Sequence, residues 1–512
     1  MLKAIELENF KAFGQRTRID LAPITLIFGQ NSAGKTSILQ ALSLLKQTLE
    51  CGAPEIPLLA KGELVDLGSF GELLFDHDLS RNLGIRIDID PDATIHGSNL
   101  DEYVSDEVPE SVGLALSFSR RELSEDISIP AIDVYWGSLN EPLARLKPWK
   151  FGFRIEAISQ DPTIWRSMYD LLPQRREAIL SLLREYYHTV DRDVFDAVGP
   201  DEDPDISPID RIEEAIEFYS SEFSFEQFLI RGTENGVGVA FETASFLPRE
   251  EDPETTLPEI AAVNTRWFRY SPRLVNNVPK TVIAVSDVLR EVLGAWFPIG
   301  PFRPAPRGLY SFRGTKPKDI GVRGDLMPDL LFRRPDIQDR LNAWLKRLEI
   351  NYSIEVQGIG DPSLDLFQLR LADQRRKKPV SVGLSNVGYG ISQILPFIVQ
   401  CLGDRRRIIS IEQPEVHIHP KLQADLGELL AECIGESYRH QFLIETNSEY
   451  LILRLQKLLI RDRKLAPEAV SVIYVERGPN GSTAHRLRLD EQGDFIDDWP
   501  GGFFSERLRE LR

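Results

Sequence analysis

Nine consecutive residues near the N-terminus have the types and spacing of a loop that cradles phosphate: Gly29, Gln30, Asn31, Ser32, Ala33, Gly34, Lys35, Thr36 and Ser37. Gly29 and Gly34 let the backbone close around an anion so that successive N–H groups face phosphate oxygens. The helix that must start here adds a partial positive charge at its N-terminus. Lys35 is placed to reach the β- and γ-phosphates, and the Thr36 hydroxyl to ligate Mg²⁺. A nucleoside triphosphate and Mg²⁺ are therefore the expected ligands. An apolar run, Ile24 to Phe28, precedes the loop and a helical pattern, Ser37 to Leu49, follows it. That strand–loop–helix context separates the string from a chance glycine turn.

Two further segments carry chemistry far downstream. Arg407 to Glu412 is an apolar run ending in a carboxylate, which places Glu412 at the end of a buried strand. There it can hold Mg²⁺ opposite Thr36. Some twenty residues earlier, Ser385, Asn386, Gly388, Gly390, Ser392 and Gln393 form a Gly/Ser-rich turn opening an apolar helix, Ile394 to Leu402. Such a turn is a second anion-binding terminus. His417 and His419 stand two apart with no third ligand nearby, a spacing that favours loop packing over a metal pair.

In this order the segments resemble an ABC-type ATPase of the RecF/SMC/OLD group. Within it the chain resembles stand-alone bacterial ATPases that carry an EQPE-x-H-x-HP segment, here Glu412 to Pro420, and a WP-x-GFF ending, here Trp499 to Phe504. Ile5 to Phe13, Leu67 to Phe70, Gly300 to Arg303, Gly321 and Gly324-Asp325 resemble other parts of that pattern. The resemblance covers about 1–80 and 297–512. It implies two heads sandwiching two nucleotides, with Ser385 to Gln393 as the signature segment facing the nucleotide of the opposite subunit. It also implies a catalytic set of Glu412, Gln413, Glu415 and Asn447. Two members depart from the chemistry of fast hydrolysis. Gln413 stands where transporter-type relatives carry a general-base glutamate, and an amide cannot take a proton from water. Asn447 follows the strand Gln441 to Thr446 where a histidine is usual, and it cannot shuttle a proton. Glu415 is the substitute base to consider. Slow turnover is the expectation.

These residues need a scaffold, and the sequence predicts an α/β fold: an ABC-type P-loop ATPase head, RecF/SMC-like, built from two sequence-distant lobes around an inserted mixed β/helical domain. The expected division is 1–94 for the N-terminal lobe, 95–296 for the insertion, 297–460 for the C-terminal lobe and 461–512 for a C-terminal cap. Leu83 to Ile89, Val112 to Ser119 and Lys150 to Ile158 read as strands. Trp165 to Tyr187 and Ile209 to Tyr219 read as amphipathic helices. Two acidic stretches, 201–205 and 250–254, read as solvated loops.

Composition narrows the partners. The 512 residues carry a net charge of −19, which opposes non-specific adhesion to nucleic-acid backbones. Any such contact would be indirect or confined to a patch such as Arg375-Arg376-Lys377-Lys378, whose simplest reading is a hairpin tip. No apolar run is long enough for a membrane span, and the N-terminus reads as a strand in place of a signal peptide. Three scattered cysteines, Cys51, Cys401 and Cys433, fit buried thiols in a reducing cytoplasm. Three functions follow: an ATP-gated, slowly hydrolysing subunit of a bacterial anti-phage system, self-associating and acting on an effector in trans; a RecF/SMC-like repair or clamp ATPase; and a nearly inactive nucleotide-sensing scaffold. The first is preferred, the effector being a nuclease or reverse-transcriptase-linked complex encoded nearby. Neither a Toprim nuclease, for which too little chain follows Leu459, nor an H-N-H nuclease is expected.

Overall fold

The computed structural model describes residues 1–90, 110–159, 240–249 and 277–499, apart from a few positions within those ranges. The predicted helices at 165–187 and 209–219, both acidic stretches and the last residues of the WP-x-GFF ending lie outside the described residues.

In chain order the strands are β1 (Leu2–Glu8), β2 (Thr17–Asp20), β3 (Ile24–Gly29), β4 (Leu83–Ile89), β5 (Val112–Arg120), β6 (Ile127–Trp136), β7 (Ala144–Trp149), β8 (Gly152–Ile158), β9 (Ala240–Ala244) and β10 (Leu247–Arg249). They continue with β11 (Trp296–Ile299), β12 (Tyr310–Ser311), β13 (Tyr352–Gly358), β14 (Leu366–Asp373), β15 (Ser381–Gly383), β16 (Ile408–Glu412), β17 (Gln441–Glu445), β18 (Val470–Gly478) and β19 (Gly481–Leu487). The helices used below are α1 (Lys35–Glu50), α2 (Phe70–Leu73), α3 (Asn277–Gly294), α4 (Met327–Arg333), α5 (Pro335–Arg347), α6 (Tyr389–Cys401), α7 (Pro420–Cys433) and α8 (Glu449–Ile460).

Two compact units emerge. The first gathers Met1–His96, Ala115–Ser128 and Leu289–Arg512, and the second Gly97–Leu114 and Ile129–Val288. The centre of the first is a six-stranded sheet in the order β11-β16-β17-β3-β18-β19. Its first five strands are parallel and β19 turns back on β18. Every residue of β3 and β17 is buried, as a central strand covered on both faces requires. Ile24, Leu26 and Phe28 pack into a core shared with α4 to α8, while α1 packs on β3, β17 and β11. β1 lies between β2 and β4 in an antiparallel sheet. It is tied to β17 by buried Gln441, whose amide donates to the Leu2 carbonyl at 2.7 Å and accepts from the Leu2 N–H at 2.9 Å. A smaller antiparallel sheet pairs β14 with β12, β13 and β15. In the second unit β6, β7, β8, β9 and β10 pair in sequence as an antiparallel meander.

Three placements differ from the sequence expectation. The segment from 461, read as a cap, supplies β18 and β19, and β18 pairs in register with β3 from Val470–Ile24 to Val475–Gly29. It belongs inside the sheet because its run Val470 to Val475 is as apolar as β3 itself. The edge of the insertion moves too: Ala115–Ser128 and Leu289 onward group with the first unit. Finally, Cys401 and Cys433 are buried but Cys51 is exposed, since it follows the last turn of α1 and the apolar face ends before it. Arg375 sits at the turn between β14 and β15, paired with Asp373 and the Tyr352 hydroxyl. Among the described residues no helix is long and apolar enough to cross a membrane.

Candidate functional site

The parallel sheet brings three strand ends together. β3 ends at Gly29 and opens the loop into α1, β17 ends at Glu445, and β16 ends at Glu412. Loops leaving the carboxyl ends of parallel strands are where such sheets build ligand crevices. Gly29 has φ 146°, and a Cβ there would lie 2.2 Å from the Val475 carbonyl oxygen of β18, so only glycine lets the two strands close up. Gly34 has φ 95° and starts α1. The loop between them is braced from outside the motif. Buried Ser482 donates its hydroxyl to the Ala33 carbonyl at 2.7 Å, and its N–H bonds the Ala12 carbonyl at 2.7 Å. The β18–β19 hairpin therefore holds the back of the phosphate loop. Trp499 continues the support, edge-on to Phe28 at 5.6 Å between ring centroids.

Lys35 is buried, and its ammonium donates to the Gly29 and Gln30 carbonyls at 2.9 and 3.0 Å. Burial pulls its pKa down, opposed by Glu445 and Glu415. The Thr36 hydroxyl donates to Glu445 Oε2 at 2.7 Å, across 409 residues of sequence. Glu445 was not among the residues singled out from sequence, although Phe442-Leu443-Ile444-Glu445 repeats the apolar-run-then-acid pattern of Ile408 to Glu412. It is cross-strand partner to Glu412. Burial pushes the Glu412 carboxyl up to about 7, with Glu445 adding to the rise and Arg303 opposing it. Burial raises Glu445 as well, against Thr36 and Lys35. One hydroxyl and two carboxylates thus stand at the strand ends, all hard oxygen donors, and they fit Mg²⁺. When bound, the cation would neutralise phosphate charge and the paired carboxylates together. Among the described residues there is no group of three His, Cys, Asp or Glu side chains that would hold a metal by itself.

Gln413 has φ 47° and its N–H bonds the Glu445 carbonyl at 2.8 Å, which turns it beside the loop. It lines, with Lys35, Thr36, Ser37, Glu445 and Arg477 among others, an open cleft of about 670 Å³. Glu415 does different work. Its two carboxylate oxygens accept from the Thr446 hydroxyl and the Asn447 N–H, both at 2.7 Å. Gln423 and Ser448 extend that network, so the loops after β16 and β17 are bound to each other. Asn447 itself is exposed. His419 caps α7 by accepting the Lys421 N–H, and His417 meets Tyr389 edge-on.

The segment expected to be the signature divides. Ser392 and Gln393 are buried in α6, where the Ser392 hydroxyl donates to the Tyr389 carbonyl. Ser385, Asn386 and Gly388 are exposed and do not line the cleft of the chain's own phosphate loop. Gly390 is fixed by contact, since a Cβ there would fall 2.3 Å from the His417 carbonyl oxygen. Sequence reasoning also passed over the role of Arg303. Buried in the core of the site, it donates to the Gln393 carbonyl at 3.2 Å and the Glu412 carbonyl at 3.0 Å, joining α6 to the end of β16. Burial pulls its pKa down to about 10.

Residues 1–140 match the family model "AAA ATPase domain", and residues 220–454 match "AAA domain, putative AbiEii toxin, Type IV TA system". Both segments are thus similar to AAA-type ATPase domains, and one includes the phosphate loop, the other Glu412, Glu445 and the signature turn. The mixed α/β sheet with its phosphate loop is consistent with a P-loop ATPase fold. Solved structures that resemble the head include the SMC head domain from Thermotoga maritima, 10% identical over 95% of this chain and 99% of that one, with a TM-score of 0.36. The Smc head domain with an extended coiled coil from Pyrococcus furiosus, bound to the C-terminal domain of ScpA, is 12% identical over 100% and 98%, with a TM-score of 0.37. No curated protein matches the chain.

Proposed function

We propose that the protein is an ATP-binding, slowly hydrolysing ABC-type ATPase whose nucleotide state controls self-association, and that it regulates an effector in trans within a bacterial anti-phage system. One observation carries the self-association in this reading: the site is divided. The phosphate loop, Thr36, Glu412 and Glu445 are assembled within one chain, while Ser385, Asn386 and Gly388 are exposed and do not line that cleft. A second copy offering its signature turn would complete the site, so ATP would act as the joint between heads. Slow turnover follows from the residues around the cleft. Gln413 can orient a water through its amide but cannot accept its proton. Glu415, the substitute base, is engaged on both oxygens by Thr446 and Asn447. The long-lived ATP state suits a switch more than a motor.

A RecF/SMC-like clamp is the second reading, and the AAA-domain matches support it equally. One set of measurements separates the two. Light scattering of the purified protein with Mg²⁺ and ATP should show a mass twice that of the nucleotide-free form, with ATP turnover below about one per minute. Gln413→Glu should raise that rate about tenfold or more. Turnover in the hundreds per minute for the unaltered protein would overturn the switch reading. Expression in a phage-sensitive host with its neighbouring genes should lower plaque counts; tight duplex-DNA binding without phage protection would favour the clamp.

A further inference from the structure

The metal side of a P-loop site is ordinarily met by the loop Ser/Thr and one strand-end acid. Here two carboxylates stand there, because β16 and β17 both end in glutamate and pair Glu412 with Glu445 in register. Glu445 is 4% exposed and holds the Thr36 hydroxyl at 2.7 Å. We propose that Glu445 is a second metal-side carboxylate that makes nucleotide binding conditional on a divalent cation. This deepens the ATP-binding reading and rests on it.

The argument is electrostatic. A triphosphate entering the loop without a cation brings its negative charge up to two carboxylates at buried strand ends, where solvent and salt screen poorly. Lys35 is the loop's own cation, and its ammonium is shared with the Gly29 and Gln30 carbonyls. One lysine then faces Glu445 and Glu415 as well as the phosphates. With the cation bound, the same two carboxylates become favourable, so cation and nucleotide each strengthen the other's binding by the same factor. A purely structural Glu445, one that only positions Thr36, makes a different prediction: its loss would weaken binding alike with and without metal.

The test is ATP affinity by calorimetry in EDTA and in Mg²⁺ for the full chain, Glu445→Gln and Glu445→Asp. The unaltered protein should gain at least about a hundredfold in affinity from Mg²⁺. Glu445→Gln should cut that gain about tenfold, mainly through tighter binding in EDTA. Glu445→Asp keeps the charge and should keep the weak metal-free affinity; should Glu445→Gln fail to fold by circular dichroism, this variant decides alone. An unchanged ratio of the two affinities in Glu445→Gln, or tighter metal-free binding by Glu445→Asp, overturns the inference and leaves the ATP-binding reading standing. If the unaltered protein binds no ATP in either condition, it is the ATP-binding reading that fails.

Discussion

The ends of β3, β16 and β17 and the turn before α6 are both expected to handle phosphate, yet they are built differently. At the strand ends key side chains have partners inside the chain: Lys35 on loop carbonyls, Thr36 on Glu445, Glu415 on Thr446 and Asn447. In the turn, Ser385, Asn386 and Gly388 are exposed, while Gly390, Ser392 and Gln393 are packed. The first is preorganised and the second is presented. A half-site that is preorganised stores its cost in the fold, as the raised pKa values of the paired glutamates record. A half-site that is presented carries little such cost and acquires its role on meeting a partner.

Substitutions can break or sharpen that contrast. Lys35→Ala should have the largest effect, lowering ATP affinity by about a thousandfold, or about 4 kcal/mol, by calorimetry with Mg²⁺. The contrast breaks if substitutions in the exposed turn lower the monomer's affinity as much. Next is Glu412. Its folded pKa of about 7 lies above the ordinary 4.5, so the folded chain binds the proton more tightly than the unfolded one. That contribution is fully present below pH 4.5 and is lost as pH rises through 7, a swing of up to about 3 kcal/mol. Urea unfolding without nucleotide should therefore show stability falling between pH 5 and 8. Glu412→Gln should flatten the fall; an unchanged slope would remove Glu412 as its cause.

Gly390 marks the join between the two regions, because its Cα rests on the His417 backbone. Gly390→Ala forces that backbone apart and should cost about 2 kcal/mol in chemical denaturation. A neutral result would mean that α6 slides easily against the loop after β16. Ser385→Arg is expected to be the mildest in stability, within about 0.5 kcal/mol, as for an exposed site away from packing. It should leave ATP binding by the monomer intact and abolish ATP-dependent self-association in light scattering. Association that survives would place the interface elsewhere.

Much of this was legible locally. Gly29 to Thr36 announce their chemistry because a phosphate loop is a contiguous stretch of backbone whose geometry depends on its own residues. The apolar run into Glu412 and the turn at Ser385 to Gln393 are legible for the same reason: a buried strand and a helix start each leave a short pattern. Gln413 and Asn447 could be read as poor proton carriers from their side chains alone.

What the tertiary structure decided is which strand ends share a corner. Glu445 meets Thr36 across 409 residues only because β17 lies between β16 and β3. Arg303 joins Gln393 to Glu412 across 90 and 109 residues, and Ser482 braces Ala33 across 449. Periodicity tells that a segment is a buried strand and is silent on its neighbours, since any two apolar parallel strands satisfy the same ladder. The order is settled by how all the strands, helices and crossovers pack together. Sequence by itself therefore determined the phosphate loop and its helix; the second carboxylate and the braces behind that loop came from the fold.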